Sequence, residues 1–230
     1  MTSGAIYLIP TELSPQSGLS TLSAEALDVI RGLDTFLVEN IRTSRRFVSS
    51  LKLGLVIEDL DFKTLDKKTS SETIEEYLHM IINGKSVGIM SEAGSPGVAD
   101  PGAAIVAKAH EQAIVVKPLV GPSSFLLTLM ASGMNGQRFR FHGYLPIDQA
   151  DRRKALSALE KDALKLGEAQ MFMETPYRNN QLLADITNIC RQNTRLCIAV
   201  NITAKDESIN TLTIAEWKIM QPDLHKKPAV

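Results

Sequence analysis

Cysteine is nearly missing from this 230-residue chain: only Cys190 and Cys197 occur. Two thiols make no disulfide framework, which points to a reducing, cytoplasmic setting and to stability from a buried core. Histidine is equally sparse. His79, His110, His142 and His225 are scattered, and none stands at ligand spacing from a cysteine or another histidine, so no metal site is expected. Long hydrophobic runs are missing too, and no segment reads as a membrane-spanning helix. Met1 to Pro10 has no basic residues ahead of its apolar stretch, which argues against a secretory leader. Finally, there is no excess of one charge. A net charge of −1 excludes a protein held on nucleic acid by its whole surface, so any RNA contact must come from local basic patches.

What is present is ordinary for a globular protein, with 44% apolar and 22% charged residues, enough for one large domain or two small ones. Short apolar runs alternate with helical patterns. "AIYLIP", "TFLVEN", "LVIED", "SVGIM" and "AIVVKP" read as strands. Helices are expected from Ser23, over Arg42 to Leu51, around Ile74, Tyr77, Leu78 and Ile81, and from Pro101. That rhythm implies βαβ units and a mostly parallel sheet. It pauses at "PLVGP", which sets an expected boundary between residues 1–118 and 119–230. Beyond it, Ser123 to Ala131 is apolar almost all round and reads as a helix buried on most sides. "RFRFHGY", "AQMFMET" and "RLCIAVNIT" read as strands, and Asp151 to Leu166 and the stretch around Leu182 to Cys190 as helices. The final "KKPAV" looks like the start of a further strand.

The richest stretch is "SEAGSPGVADPG", Ser91 to Gly102, between a strand and a helix. Gly94 and Gly97 allow positive φ and close approach of a ligand to backbone. Pro96 stiffens the turn, and Asp100 with Pro101 suits a helix start. The loop lacks the Gly-Lys-Ser/Thr of a phosphate P-loop and the glycine spacing of a dinucleotide fingerprint. A turn followed by a helix cap would need the same residue types. "VGPSS", Val120 to Ser124, is a second helix start with two hydroxyls. One such loop on each side of the boundary suggests a ligand cleft between domains.

Taken in order, "SEAGSPGVADPG", "PLVGPSS", "RFRFHGYLP", "DRRKAL" and "MFMETPYR" resemble the successive blocks of the tetrapyrrole (corrin/porphyrin) methylase family. Within it they most resemble the bacterial 16S ribosomal RNA cytidine 2′-O-ribose methyltransferases. "YLIPT" and "VENIRTSRR" are similar to earlier blocks of the same group. The resemblance implies two α/β domains with S-adenosylmethionine in the cleft between them, a homodimer, and ribosomal RNA or the small ribosomal subunit as partner. Carried onto this chain, it implies cofactor contacts from Ile9, Pro10, Glu92, Gly94, Ser95, Pro96, Ser123, Ser124 and Met173. It departs in four places. The chain has "ELSPQSGLSTL" where the group carries a Gly-Asn. Asn40-Ile41-Arg42 stands for Asp-Thr-Arg. "NITAK" keeps only Lys205 of an Arg-Glu-Leu-Thr-Lys block. The group's longer C-terminal extension is absent.

Methyl transfer from a sulfonium is an in-line displacement governed by positioning, with the acceptor held about 3 Å from the methyl carbon. A ribose hydroxyl also needs a base within hydrogen-bond reach. Glu92 and Lys205 are the expected catalytic residues. Glu39 and Glu174 rank below them, because a glutamate at a strand end commonly forms a structural ion pair or cap. Arg42, Arg152, Arg153 and Lys154 are the RNA-contact candidates, or else the solvated faces of helices. Tyr144 and Tyr177 could stack on a base or pack at a rim. Two other functions stay open: a methyltransferase for a small, tetrapyrrole-like molecule, and a relative that binds cofactor without turnover.

Overall fold

The computed structural model describes residues 3–230. Met1 and Thr2, which open the segment read above for a leader, lie outside the described residues. The chain forms two compact units, Met1–Ser123 and Ser124–Val230, both of the α/β class.

The first unit runs β1 (Ala5–Ile9), α1 (Gly18–Thr21), α2 (Ala24–Gly32), β2 (Thr35–Val38), α3 (Ile41–Ser50), β3 (Asp61–Thr64), α4 (Ser71–Ile82), β4 (Val87–Met90), α5 (Gly102–Glu111) and β5 (Val115–Pro118). Its five strands are all parallel, in the order β3-β2-β4-β1-β5. The central strands are covered on both faces, so they read as continuous apolar runs. Ile9, Phe36, Val38 and Met90 point to one face, under α2 and α3. Ile6, Leu37 and Ile89 point to the other, under α4 and α5. Burying each such side chain contributes about 1.5–3 kcal/mol.

"LVIED" is not the third strand. It ends in a 3₁₀ turn, Ile57–Asp59, with Val56 exposed, and the strand is the next segment, "DFKT". Phe62 decides the register by stacking on Phe36 of β2 at 5.2 Å. The residues after Pro118 stay with the first unit. Leu119 is buried in its core and its amide donates to the Leu8 carbonyl at 3.0 Å. The expected break at 118 therefore falls too early.

The second unit holds α6 (Ser124–Ser132), β6 (Phe139–Tyr144), α7 (Gln149–Leu166), β7 (Ala169–Met173), α8 (Asn179–Ile189), β8 (Arg195–Val200), β9 (Ser208–Thr213) and α9 (Ile214–Met220). β6 pairs with β7 in parallel, and β8 pairs with β9 antiparallel. The helix α6 is less covered than its composition implies. Only Thr128, Leu129 and Ser132 are buried, whereas Leu126 and Met130 are exposed. Sequence periodicity missed β9 and α9, although Thr213 and Glu216 form a capping box that marks the start of α9. The last residues do begin a strand-like pairing: Ala199 and Val230 exchange two backbone hydrogen bonds, at 3.0 and 2.9 Å.

Candidate functional site

In an all-parallel sheet, ligands bind beyond the carboxyl ends of the strands, where the chain leaves neighbouring strands in opposite directions. Here that point lies between β1 and β4. From β1 the chain crosses β4 to reach β2; from β4 it crosses β1 to reach β5. The two exits are tied together. The Thr11 amide donates to the Gly94 carbonyl at 2.9 Å, and the Gly94 amide donates to the Thr11 carbonyl at 3.2 Å. The Thr11 hydroxyl adds a bond to the Ser91 carbonyl at 3.2 Å. Gly94 sits at φ +76° and Gly97 at φ +83°, a region that favours glycine.

The loop from Ser91 to Gly102 is held from within by Asp100. Its Oδ1 accepts from the amides of Gly97 (2.9 Å) and Gly102 (2.7 Å). Asp100 thus braces the loop rather than serving as the N-cap: α5 begins at Gly102, and Pro101 occupies the cap position. The strand-to-helix segment after β5 closes on the same edge. Ser95 Oγ donates to the Pro122 carbonyl at 3.4 Å. A Cβ on Gly121 would lie 2.4 Å from Pro10 Cβ, so only glycine fits there. Ile9 and Pro10 are buried, and the Ile9 side chain belongs to the core. Any ligand contact at Ile9 must use its backbone.

Three carboxyl groups gather on this edge. Glu39 follows β2, Glu92 follows β4, and Asp100 closes the loop. Glu92 is exposed, and its Oε1 accepts from the Thr43 hydroxyl on α3 at 2.7 Å. Asn40 caps α3 through its side chain, accepting from the amides of Arg42 (3.0 Å) and Thr43 (3.3 Å). Asparagine thereby keeps the capping role expected of aspartate at this position. Burial, then a hydrogen bond with Asp100 and repulsion from Asp100 and Glu92, push Glu39 up to about 7. The second oxygen of Asp100 is buried and receives no other donor. Glu39 is therefore no structural ion pair: among the described residues no cation bridges it. Residue type alone ranked it low, because nothing local in the chain tells that residue 100 will face residue 39.

Ser123 ends the first unit and Ser124 opens α6 in the second. Met173 ends β7 and is half-buried. Lys205 is exposed in the turn between β8 and β9. Glu174 is buried, and its Oε1 accepts from Arg178 at 2.5 Å and from the Thr175 amide at 2.6 Å, which leaves it a structural group.

The basic clusters divide by environment. Arg42 and Arg46 are exposed on α3, but Arg45 donates to the Ile57 carbonyl and lies over the Phe62 ring. Arg152 is 1% exposed. Its guanidinium donates to Asp185 at 2.6 and 2.9 Å and to the Ile147 carbonyl at 2.8 Å. That engagement rules Arg152 out as an RNA contact. Burial alone would raise the Asp185 carboxyl; hydrogen bonds from Arg152 and Arg153 outweigh it and hold it below the ordinary range. Arg153 remains half-exposed while it pairs with Asp185, and Lys154 is open to solvent beside Asp151. Among the described residues, no cluster of three or more His, Cys, Asp or Glu could hold a metal, and no helix is long and apolar enough to cross a membrane.

No family profile matches the chain. Individual proteins do. It is 31% identical over 205 residues to ribosomal RNA small subunit methyltransferase I of Micromonospora olivasterospora, covering 89% of this chain and 61% of that protein. It is 30% identical over 219 residues to the protein of the same name from Buchnera aphidicola subsp. Acyrthosiphon pisum, covering 93% and 73%. The chain thus spans between three-fifths and three-quarters of the length of these curated relatives. Among solved structures, the methyltransferase CobJ matches with a TM-score of 0.63 at 18% identity, covering 99% of this chain and 94% of that one. At that identity the likeness establishes the fold.

Proposed function

Because the chain belongs to the ribosomal RNA small subunit methyltransferase I family, we propose that it transfers a methyl group from S-adenosylmethionine to a ribose 2′-hydroxyl of small-subunit ribosomal RNA. The observation that carries this reading is the carboxyl edge of the first unit, where Glu39, Glu92 and Asp100 surround a loop whose glycines hold positive φ. The residues suit the cofactor. Backbone at Gly94 and Gly97 is bare enough for close approach. The carboxyl groups complement a ligand that carries a cationic sulfonium and an ammonium group. When bound, the cofactor supplies an activated methyl group; the chain's own residues supply position and proton transfer.

In this reading Thr43 holds Glu92 toward the ligand's ammonium group. Glu39 is the base: a group near neutrality both accepts a proton and is ionised often enough to act. It takes the hydroxyl proton as the oxygen–methyl bond forms and the sulfur–methyl bond breaks. Asp100 restrains Glu39 and completes the loop. Glu92 therefore moves from expected base to ligand holder, and Lys205 joins Arg42, Arg153 and Lys154 as a phosphate contact. A homodimer and a cytoplasmic location complete the reading.

The test is transfer of tritiated methyl to assembled small subunits, free ribosomal RNA and a tetrapyrrole mixture. Label on small-subunit RNA, lost in Glu39→Gln, supports the assignment. Label on the tetrapyrroles alone, or on nothing, overturns it.

A further inference from the structure

The junction of β6 and α7 holds two large side chains in solvent. β6 carries one extra residue near its end: Phe141 pairs with Met171 of β7 and Tyr144 with Met173, so three steps on one strand match two on the other. Gly143, at φ +64°, lies in this bulge. Bulges of this kind re-aim the side chain that follows. By the two-residue period of a strand, Tyr144 would share the face of Arg140 and His142. The extra residue turns it to the face of Phe139 and Phe141 instead. Tyr144 is 55% exposed there. Leu145, the next residue, is buried in the core of the second unit, and Ile147 is 75% exposed.

Arg152 fixes this loop from below. Its buried guanidinium donates twice to Asp185 of α8, and its other two bonds go to the carbonyls of Pro146 (3.4 Å) and Ile147 (2.8 Å). A buried ion pair adds little net stability, because desolvation offsets attraction. What this one adds is shape: Leu145 anchors the loop on one side, Arg152 anchors it on the other, and Ile147 is held outward. A loop that is already ordered loses little entropy when a partner lands on it.

The neighbouring charges name the partner. Arg152 and Arg153 share one carboxylate, Asp185, so one positive charge is left over, and Arg153 is the exposed member. Arg138 and Arg140 are exposed on β6 and join no ion pair among the described residues. On the acidic side, Asp148 caps α7 and Asp151 pairs with Lys154. An exposed aromatic ring, an aliphatic tip and uncompensated arginines suit an unpaired nucleotide. Its base stacks on the first two, and its phosphate meets the third.

We propose that the loop from Gly143 to Ile147 is a base-stacking site for single-stranded RNA. Tyr144 lies against the face of an unpaired base, Ile147 packs beside it, and Arg153 holds a flanking phosphate. Arg152 is the positioning residue: it touches no RNA and fixes the loop that does. The site rests on the reading of ribosomal RNA as substrate, and it names the residues that hold unpaired bases of that RNA.

The probe is a uridine dodecamer with a central 2-aminopurine, whose fluorescence is quenched on stacking. The expected result is saturable quenching by the whole protein. Tyr144→Ala and Ile147→Ser should weaken binding by about fivefold or more, and Tyr144→Phe should retain it. Arg152→Lys keeps a cation beside Asp185 but gives up the fork that also reaches the loop. It should lower the quenching at saturation while circular dichroism stays unchanged; full quenching would overturn the positioning role. With assembled small subunits, Tyr144→Ala and Ile147→Ser should raise KM for the subunit by about fivefold or more, with cofactor affinity as in wild type. If the wild-type protein methylates no RNA, the methyl-transfer reading falls, and the oligonucleotide still decides the site. No quenching by wild type, or equal quenching by Tyr144→Ala, overturns the proposal. So does a changed oligomeric state in Tyr144→Ala with RNA binding intact, which would assign the loop to a second copy of the chain.

Discussion

Thr11 and Gly94 exchange two backbone hydrogen bonds across the exits of β1 and β4, although 83 positions separate them. The pair sets how far the two loops can part. Because Gly94 holds φ +76° and a Cβ there would meet Leu13 Cδ2 at 3.2 Å, Gly94→Ala combines backbone strain with crowding. The expected cost is about 1–3 kcal/mol in urea unfolding, with a larger proportional loss of methyl transfer. A variant with wild-type stability and activity would show that the bridge is ornamental.

Glu39 gives two opposite pH trends. Its carboxyl is raised from 4.5 to about 7 in the folded protein. Below pH 4.5 it is protonated in both states and its contribution to stability is fully present. That contribution is lost as pH rises through 7, where the folded state must ionise it beside two carboxylates. Activity moves the other way, rising through pH 7 as the base becomes available. Glu39→Gln should remove both trends: its stability relative to wild type increases between pH 5 and pH 8, and its turnover falls at least a hundredfold. Matched urea titrations and initial rates at the two pH values measure this.

Thr43→Val deletes the hydroxyl that holds Glu92. The group is exposed, so stability should change by less than about 1 kcal/mol. Cofactor affinity should fall by roughly three- to tenfold, a loss readable by titration calorimetry. An unchanged affinity would detach Glu92 from the ligand.

Arg152 and Arg153 are neighbours with different tasks. Arg152→Ala leaves Asp185 buried without its main partner and should cost about 3–5 kcal/mol. Arg153→Ala should cost less than about 1 kcal/mol, since that side chain is 48% exposed. Lys154→Ala should leave stability alone and lower the salt dependence of RNA binding. Thermal unfolding of the three variants, with filter binding across salt, separates support from contact.

Local chemistry was the legible part. Ser23 caps α2 where a helix was expected to begin, and Asn83-Gly84 ends α4 with Gly84 at φ +103°. The apolar runs that became β1, β2 and β4 were plain because both faces of each are buried. "LVIED" misled because a short apolar run does not reveal whether a neighbour awaits it; Phe62 found Phe36 instead. The carboxyl site was half legible. The glycine loop was evident, but the meeting of Glu39 with Asp100 depends on strand order, which no local pattern encodes. Arg152 misled for the same reason: its partner Asp185 lies on a different helix.

The parallel sheet also sets a timetable for synthesis. Ile6 of β1 pairs with Val87, and Ala5 pairs with Val115. At roughly 5–20 residues per second, a ribosome needs about 4–16 seconds to make the stretch that separates Ile6 from its first neighbour. During that interval β1 has α2 and α3 to pack on but no strand to pair with, and its backbone hydrogen-bonding groups remain open to chaperones and to other nascent chains. The interior position of β1 between β4 and β5, which places the Thr11 exit at the site, thus makes its pairing wait on strands synthesised much later.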